Sequence, residues 1–280
     1  MGRDRVHLSC IALGSLLRAK FSLSLRVGAA IVAATGAAAA DGHPPATACR
    51  HSTLETGLVA AVLDGRTLTL ADGREVRLAG IEIPLGEAGL AAKHALRGLV
   101  AGLPVVLKGP SSTDRYGRFV VYLFALREGI EQAVVPALLA GGYGLVSPGL
   151  DTACTAENFA VERAARRDKL GLWADPYYDI MSADSPTAIV ARRGTFSLVE
   201  GKVVSVRESG NTIYVNFGRR WSEDFAVTMQ KRNERAFVDG GIEPKKLEGR
   251  RVRVRGWIEE RGGPRIEALH PAQIEIVDGI

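Results

Sequence analysis

The chain has 280 residues, 46% of them hydrophobic, with 36 Lys and Arg against 31 Asp and Glu. That is enough chain for two modest domains, each with its own core, rather than one long one. Residues 1–40 hold five of the bases and one of the acids, leaving 31 basic and 30 acidic residues. The overall basicity is therefore no argument for a nucleic-acid partner.

Basic residues up to Arg26 precede the apolar run VGAAIVAATGAAAA, and the small residues Ala38 and Ala40 fit an A-x-A cleavage site. Residues 1–40 are read as a secretory signal. The apolar run is shorter than the roughly 20 residues that span a bilayer, so no membrane association is expected once the leader is removed. The expected location is the periplasm or beyond the cell. Cys10 leaves with the leader and Cys49 and Cys154 remain; in an oxidising compartment they are expected to bond. The alternative is a metal or nucleophilic role, for which no histidine stands close in sequence.

From Gly57 the chain alternates apolar and polar residues as strands do, over 58–63, 67–70 and 75–80, with a tight turn at Ala71, Asp72 and Gly73. Residues 88–100 have helical composition and spacing, and 105–107 and 119–126 return to strand. Three strands, a helix and two strands is the order of an OB-type barrel. Two more helices are expected at 130–140, shortened or kinked by Pro136, and at 156–169. Residues 182–193 mix polar and small residues with a proline, as a linker does, and the linker is expected over 176–195. Strands at 201–206, 212–217, 225–229, 250–258 and 273–277, with a short helix in QKRNERAFVDGG, repeat the OB-like order. The expected architecture is mainly β with helices: one barrel over 57–175, a second over 196–280.

The strongest local motif is TDRYGRFVVYLF, in which a Tyr-Gly turn feeds a strand and fixes Arg118 at its entrance. With DGRT at 64–67, REVRLAGIEIP at 74–84 and ERAARRDKLGLW at 162–173, it resembles the staphylococcal nuclease (thermonuclease) family over about 57–173. The resemblance implies calcium-dependent cleavage of DNA and RNA phosphodiesters, with an arginine pair on the phosphate. Arg77 and Arg118 fall on that pair, and a planar guanidinium suits the role because it binds two phosphate oxygens at once.

The metal side departs from the family pattern. Where the family has D-G-D-T, this chain has Arg66 in place of the second acid, while Asp64 is kept and Glu82 takes the place of another acidic ligand. A cation in place of a carboxylate subtracts a ligand and adds repulsion, so no cofactor is expected unless a remodelled site still takes calcium. The acid generally assigned as the base aligns with Leu85; Glu87, two residues on, is the candidate substitute. Arg66 is expected instead to pair with Glu82 or Asp64.

Elsewhere, Tyr116 either stacks on a base or packs on the barrel rim. In RRVRVRGWIEE, alternation places Arg251, Arg253, Arg255 and Trp257 on one strand face, with Tyr214, Arg219, Arg220 and Trp221 contributed from elsewhere. Basic residues interleaved with aromatics on an OB-like sheet suit single-stranded nucleic acid, whereas nearby Glu259 and Glu260 suit a solvated strand face. Three readings follow: a degenerate homologue binding nucleic acid, another phosphate-bearing ligand or a protein; a remodelled nuclease; and a scaffold for protein interactions in the cell envelope.

Overall fold

The computed structural model describes residues 52–109, 112–148 and 151–277. All of them lie in one compact unit, 44–280. The 1–40 leader and Cys49 fall outside the described residues. No described helix is long and apolar enough to cross a membrane.

The first barrel is built from β1 (Thr53–Val62), β2 (Thr67–Leu70), β3 (Glu75–Leu78), β5 (Pro104–Lys108) and β6 (Phe119–Arg127), with the two-residue β4 (Ile81–Glu82) beside it. The strands run in the order β3-β2-β1-β5-β6, and β3 closes the ring by pairing in parallel with β6, Arg77 opposite Val120. The β2–β3 turn is fixed at both ends. Gly73 has φ 87°, and Asp72 accepts from the Arg74 backbone N–H at 3.0 Å. Strand alternation sends Leu68, Leu70, Val76 and Leu78 inward, where helix α1 (Glu87–Val100) meets them with Ala92, Leu96 and Val100, one residue per helical turn.

The helix expected at 130–140 is split. Residues Ile130–Ala133 form β7, paired antiparallel to β6, and only Val134–Ala140 form helix α2. The cause is the turn at Glu128 and Gly129, which have φ of 53° and 81° and send the chain back along β6. Beyond β8 (Leu145–Val146), helix α3 (Thr152–Arg167) starts at Asp151, whose carboxylate accepts from the Cys154 N–H at 2.8 Å.

The segment expected as linker is structured. It holds β9 (Met181–Ser182), parallel to β10 (Phe196–Lys202), and helix α4 (Pro186–Val190), which buries Ile189 in the second core. The second region continues with β11 (Ser205–Ser209), β12 (Thr212–Asn216), β13 (Ala226–Gln230), helix α5 (Glu234–Asp239), β14 (Arg251–Glu260), β15 (Pro264–Ala268) and β16 (Ile274–Ile276). Its sheet path is β11-β12-β13-β15-β14-β10-β9, with β13 and β15 parallel. Only Val203 and Val204 separate β10 from β11, and both stay in the ladder by donating to the carbonyls of Arg250 and Asn216. The path thus curls into a second barrel-like sheet with the same parallel closure as the first.

Candidate functional site

Asp64 and Arg66 lie in the tight connection between β1 and β2. The Arg66 backbone N–H donates to the Asp64 carboxylate at 2.8 Å, and its carbonyl accepts from Leu78 N–H, so the turn is tied to β3. The Arg66 guanidinium donates to Glu82, which stands on β4 with its side chain only 7% exposed. Burial pushes the Glu82 carboxyl above the usual carboxylate range, against the opposing pull of Arg66. The second Glu82 oxygen, Oε1, has no partner among the described residues.

Arg77 is half-buried on β3. Burial holds its guanidinium below the ordinary arginine range, with the positive charges of Arg66 and Arg118 adding to the effect and Glu82 and Asp114 opposing it. Among the described residues it pairs with no carboxylate. Arg118 enters β6 from the turn 114–117, which closes through Gly117 N–H to the Asp114 carbonyl at 2.9 Å. Asp114 also accepts from the Arg118 side chain at 2.6 and 2.8 Å, and that bond holds the guanidinium above its ordinary range. The Tyr116 ring, 66% exposed, stands 5.1 Å from the Arg118 guanidinium carbon and 4.8 Å from that of Arg115. A cluster of two arginines, one free and one braced, faces an ion pair made by a third.

Residues 75–175 match the family model described as staphylococcal nuclease homologue. The matched stretch runs from β3 past α3, and over it the first barrel is similar to a staphylococcal nuclease homologue. Among curated proteins no relative matches the chain. In this barrel Leu85 is 93% exposed. Glu87 is exposed as the first residue of α1. Cys154 is buried on α3, and the expected Cys49 partner lies outside the described residues.

The strand face expected at β14 needs correction. Arg251 and Arg253 both bind Glu200 on β10, at 2.8 and 2.7 Å. Arg255 is 1% exposed and is no surface ligand: helix α3 of the first barrel covers it. Alternation places it on the expected side of the strand; tertiary packing takes it out of solvent. Its guanidinium donates to Glu162 at 2.9 and 3.1 Å, to Glu275 at 2.7 Å and to the Val146 carbonyl at 3.1 Å, and lies 4.3 Å over the Phe159 ring. Trp257 is half-exposed, edge-on to Phe196 at 5.9 Å.

Sequence reasoning did not find the Arg255–Glu162 bond, although a signal for it exists. Glu162 falls among Thr155, Asn158, Phe159 and Ala165 on the buried face of α3, where a carboxylate requires a partner. Between the two barrels a cavity of about 200 Å³ is lined by Arg66, Glu82, Tyr178, Phe196 and Trp257 among others. The Arg66–Glu82 pair therefore forms part of the arginine cluster and part of the seam between the barrels.

Proposed function

We propose that this protein is an exported nuclease homologue that grips the phosphates of nucleic acid without hydrolysing them. The reading is carried by the Arg66–Glu82 ion pair beside Arg77 and Arg118. A half-buried arginine without a carboxylate partner has its donors available for a phosphate, and Arg118, braced by Asp114, supplies a second positive group with little rotamer freedom left to lose.

The family's calcium does not fit the residues present. A calcium site needs about six to eight oxygens. Here Glu82 is engaged by a cation and Asp64 by a backbone N–H, and among the described residues no three His, Cys, Asp or Glu side chains form a ligand group. The base position carries Leu85, which accepts no proton. Loss of a positioned base alone typically costs about 10²- to 10⁴-fold in rate. Export through the 1–40 leader and a Cys49–Cys154 bond complete the proposal.

The test is hydrolysis and binding of single-stranded DNA and RNA by the protein lacking residues 1–40, across a calcium titration. The expected result is no cleavage at any calcium level, with binding at low salt that weakens in Arg77→Ala/Arg118→Ala. Cleavage by the wild type that disappears in Arg118→Ala overturns the reading in favour of a remodelled enzyme, in which Glu87 is the first residue to replace. Binding to neither polymer at low salt overturns it in favour of a protein-interaction scaffold.

A further inference from the structure

The outer face of β11, β12, β13 and β15 forms a second, larger groove of about 600 Å³ on the opposite flank of the sheet from the second core. Strand register explains its composition. Ile213, Val215, Val227, Met229 and Ile266 point into the core, so the alternate residues Tyr214, Thr228 and Glu267 share the other face. Arg207 stands opposite Tyr214 in the ladder and Tyr214 opposite Thr228, making one row across three strands. Small polar side chains form the floor, and Thr228 is almost fully covered.

The ends of this row are built differently from the floor. Trp221, in the β12–β13 loop, is 76% exposed and overhangs the β14–β15 turn, where an added Cβ on Gly262 would lie 3.7 Å from its ring. Arg261 in the same turn and Arg207 on β11 are exposed and pair with no carboxylate among the described residues. That separates them from the arginines of β14, each of which is neutralised by Glu200, Glu162 or Glu275. Arg265 joins the groove while bonded to Glu259, and the groove's carboxylate, Glu267, accepts from Gln230 at 3.2 Å. Two unpaired guanidinium groups and two accessible aromatic rings thus converge on a polar floor.

We propose that this groove holds a single-stranded nucleic acid, with Arg207 and Arg261 on its phosphates and Tyr214 and Trp221 stacked on its bases. The charge favours this occupant: a neutral glycan uses aromatic rings and a polar floor but gives no partner to two unpaired arginines, and a polyanion does. The open groove suits a splayed strand, because a base held inside a duplex offers no free face for stacking. The inference rests on the nucleic-acid reading above and moves the main contact with the strand to the second barrel, leaving Arg77 and Arg118 as a separate phosphate contact.

The experiment is fluorescence anisotropy of labelled oligo(dT) and oligo(rU) with the protein lacking residues 1–40, over a salt series, with intrinsic tryptophan emission read in parallel. Trp221→Ala is expected to weaken binding by roughly five- to a hundred-fold, the range of one lost stacking contact. Arg207→Ala/Arg261→Ala is expected to reduce the salt slope by about 1.4, two phosphate contacts at about 0.7 each for single strands. Oligomer binding is expected to quench wild-type emission but not that of Trp221→Phe, whose anisotropy still reports binding; circular dichroism checks the fold of each variant. Unchanged affinity and slope in all groove variants, with loss only in Arg77→Ala/Arg118→Ala, overturns the groove while leaving the nucleic-acid reading standing. No binding of either oligomer by the wild type, or binding of a neutral oligosaccharide in their place, overturns both.

Discussion

A guanidinium beside a largely buried carboxylate is stable only while both are present. Removing Arg66 strands the charge of Glu82, whose side chain is 7% exposed and whose Oε1 already lacks a donor. Arg66→Ala is expected to cost about 3 kcal/mol in chemical denaturation, the low end for a broken buried pair because Arg66 keeps some solvent contact. The deficit depends on pH with a definite sign. Burial raises the native pKa of Glu82, so between the ordinary carboxylate value and the raised one the native state binds more protons than the unfolded state, and stability falls as pH rises. The penalty in Arg66→Ala should therefore be greatest above the raised value and shrink as pH falls through it. Adding Glu82→Gln should recover much of it at neutral pH. At this scale the exchange at Arg66 was legible, because one motif position changed sign. The covering of Arg255 was not, because period-two alternation says which side of a strand a residue takes and nothing about what later packs there.

Strands and helices were legible where pattern alone decides them. The first three strands and α1 follow apolar spacing closely, whereas β7 reads as helix in sequence because the Glu128–Gly129 turn lacks the Asn-Gly or Asp-Gly signal of a tight hairpin. Strand β15 was missed because Pro264 opens it and its five residues alternate with charges. The β10–β14 pairing carries a prediction of its own. Burial would raise the Glu200 carboxyl, but the hydrogen bonds from Arg251 and Arg253 outweigh it and leave the pKa lowered. A lowered carboxylate stabilises the fold above its unfolded pKa and loses that contribution as pH falls through the native one. Glu200→Gln is thus expected to be less stable than wild type at neutral pH, with the difference vanishing in acid below the usual carboxylate range. Denaturant midpoints measured over a pH series check this.

Across the whole molecule, the chain places its most deeply buried charges between the barrels. Glu162 accepts from Arg255 and from Arg166 at 3.2 Å as well as from the Val146 N–H, and Arg255 reaches on to Glu275 of β16. Desolvating these groups is tolerable only because each completes the other. Glu162→Ala is expected to cost about 3–5 kcal/mol, and Glu162→Leu/Arg255→Met to recover much of that loss, read as denaturation midpoints. Wild type should show one unfolding transition rather than two, since neither barrel keeps this network without its neighbour. Sequence spacing could not give the pairing: 93 residues separate Glu162 from Arg255, and only the docking of α3 against β14 joins them.

The position of Arg66 and Glu82 on the cavity between the barrels makes any exchange at either residue a matter for both barrels. An aspartate at 66 would set two carboxylates side by side on a wall that the second barrel helps to enclose, with Arg77 left as a compensating cation. Arg66→Asp would have to satisfy two surfaces at once, whereas the arginine present satisfies both. The pair acts as a rivet through both walls, so a change at either residue is felt by both barrels at once.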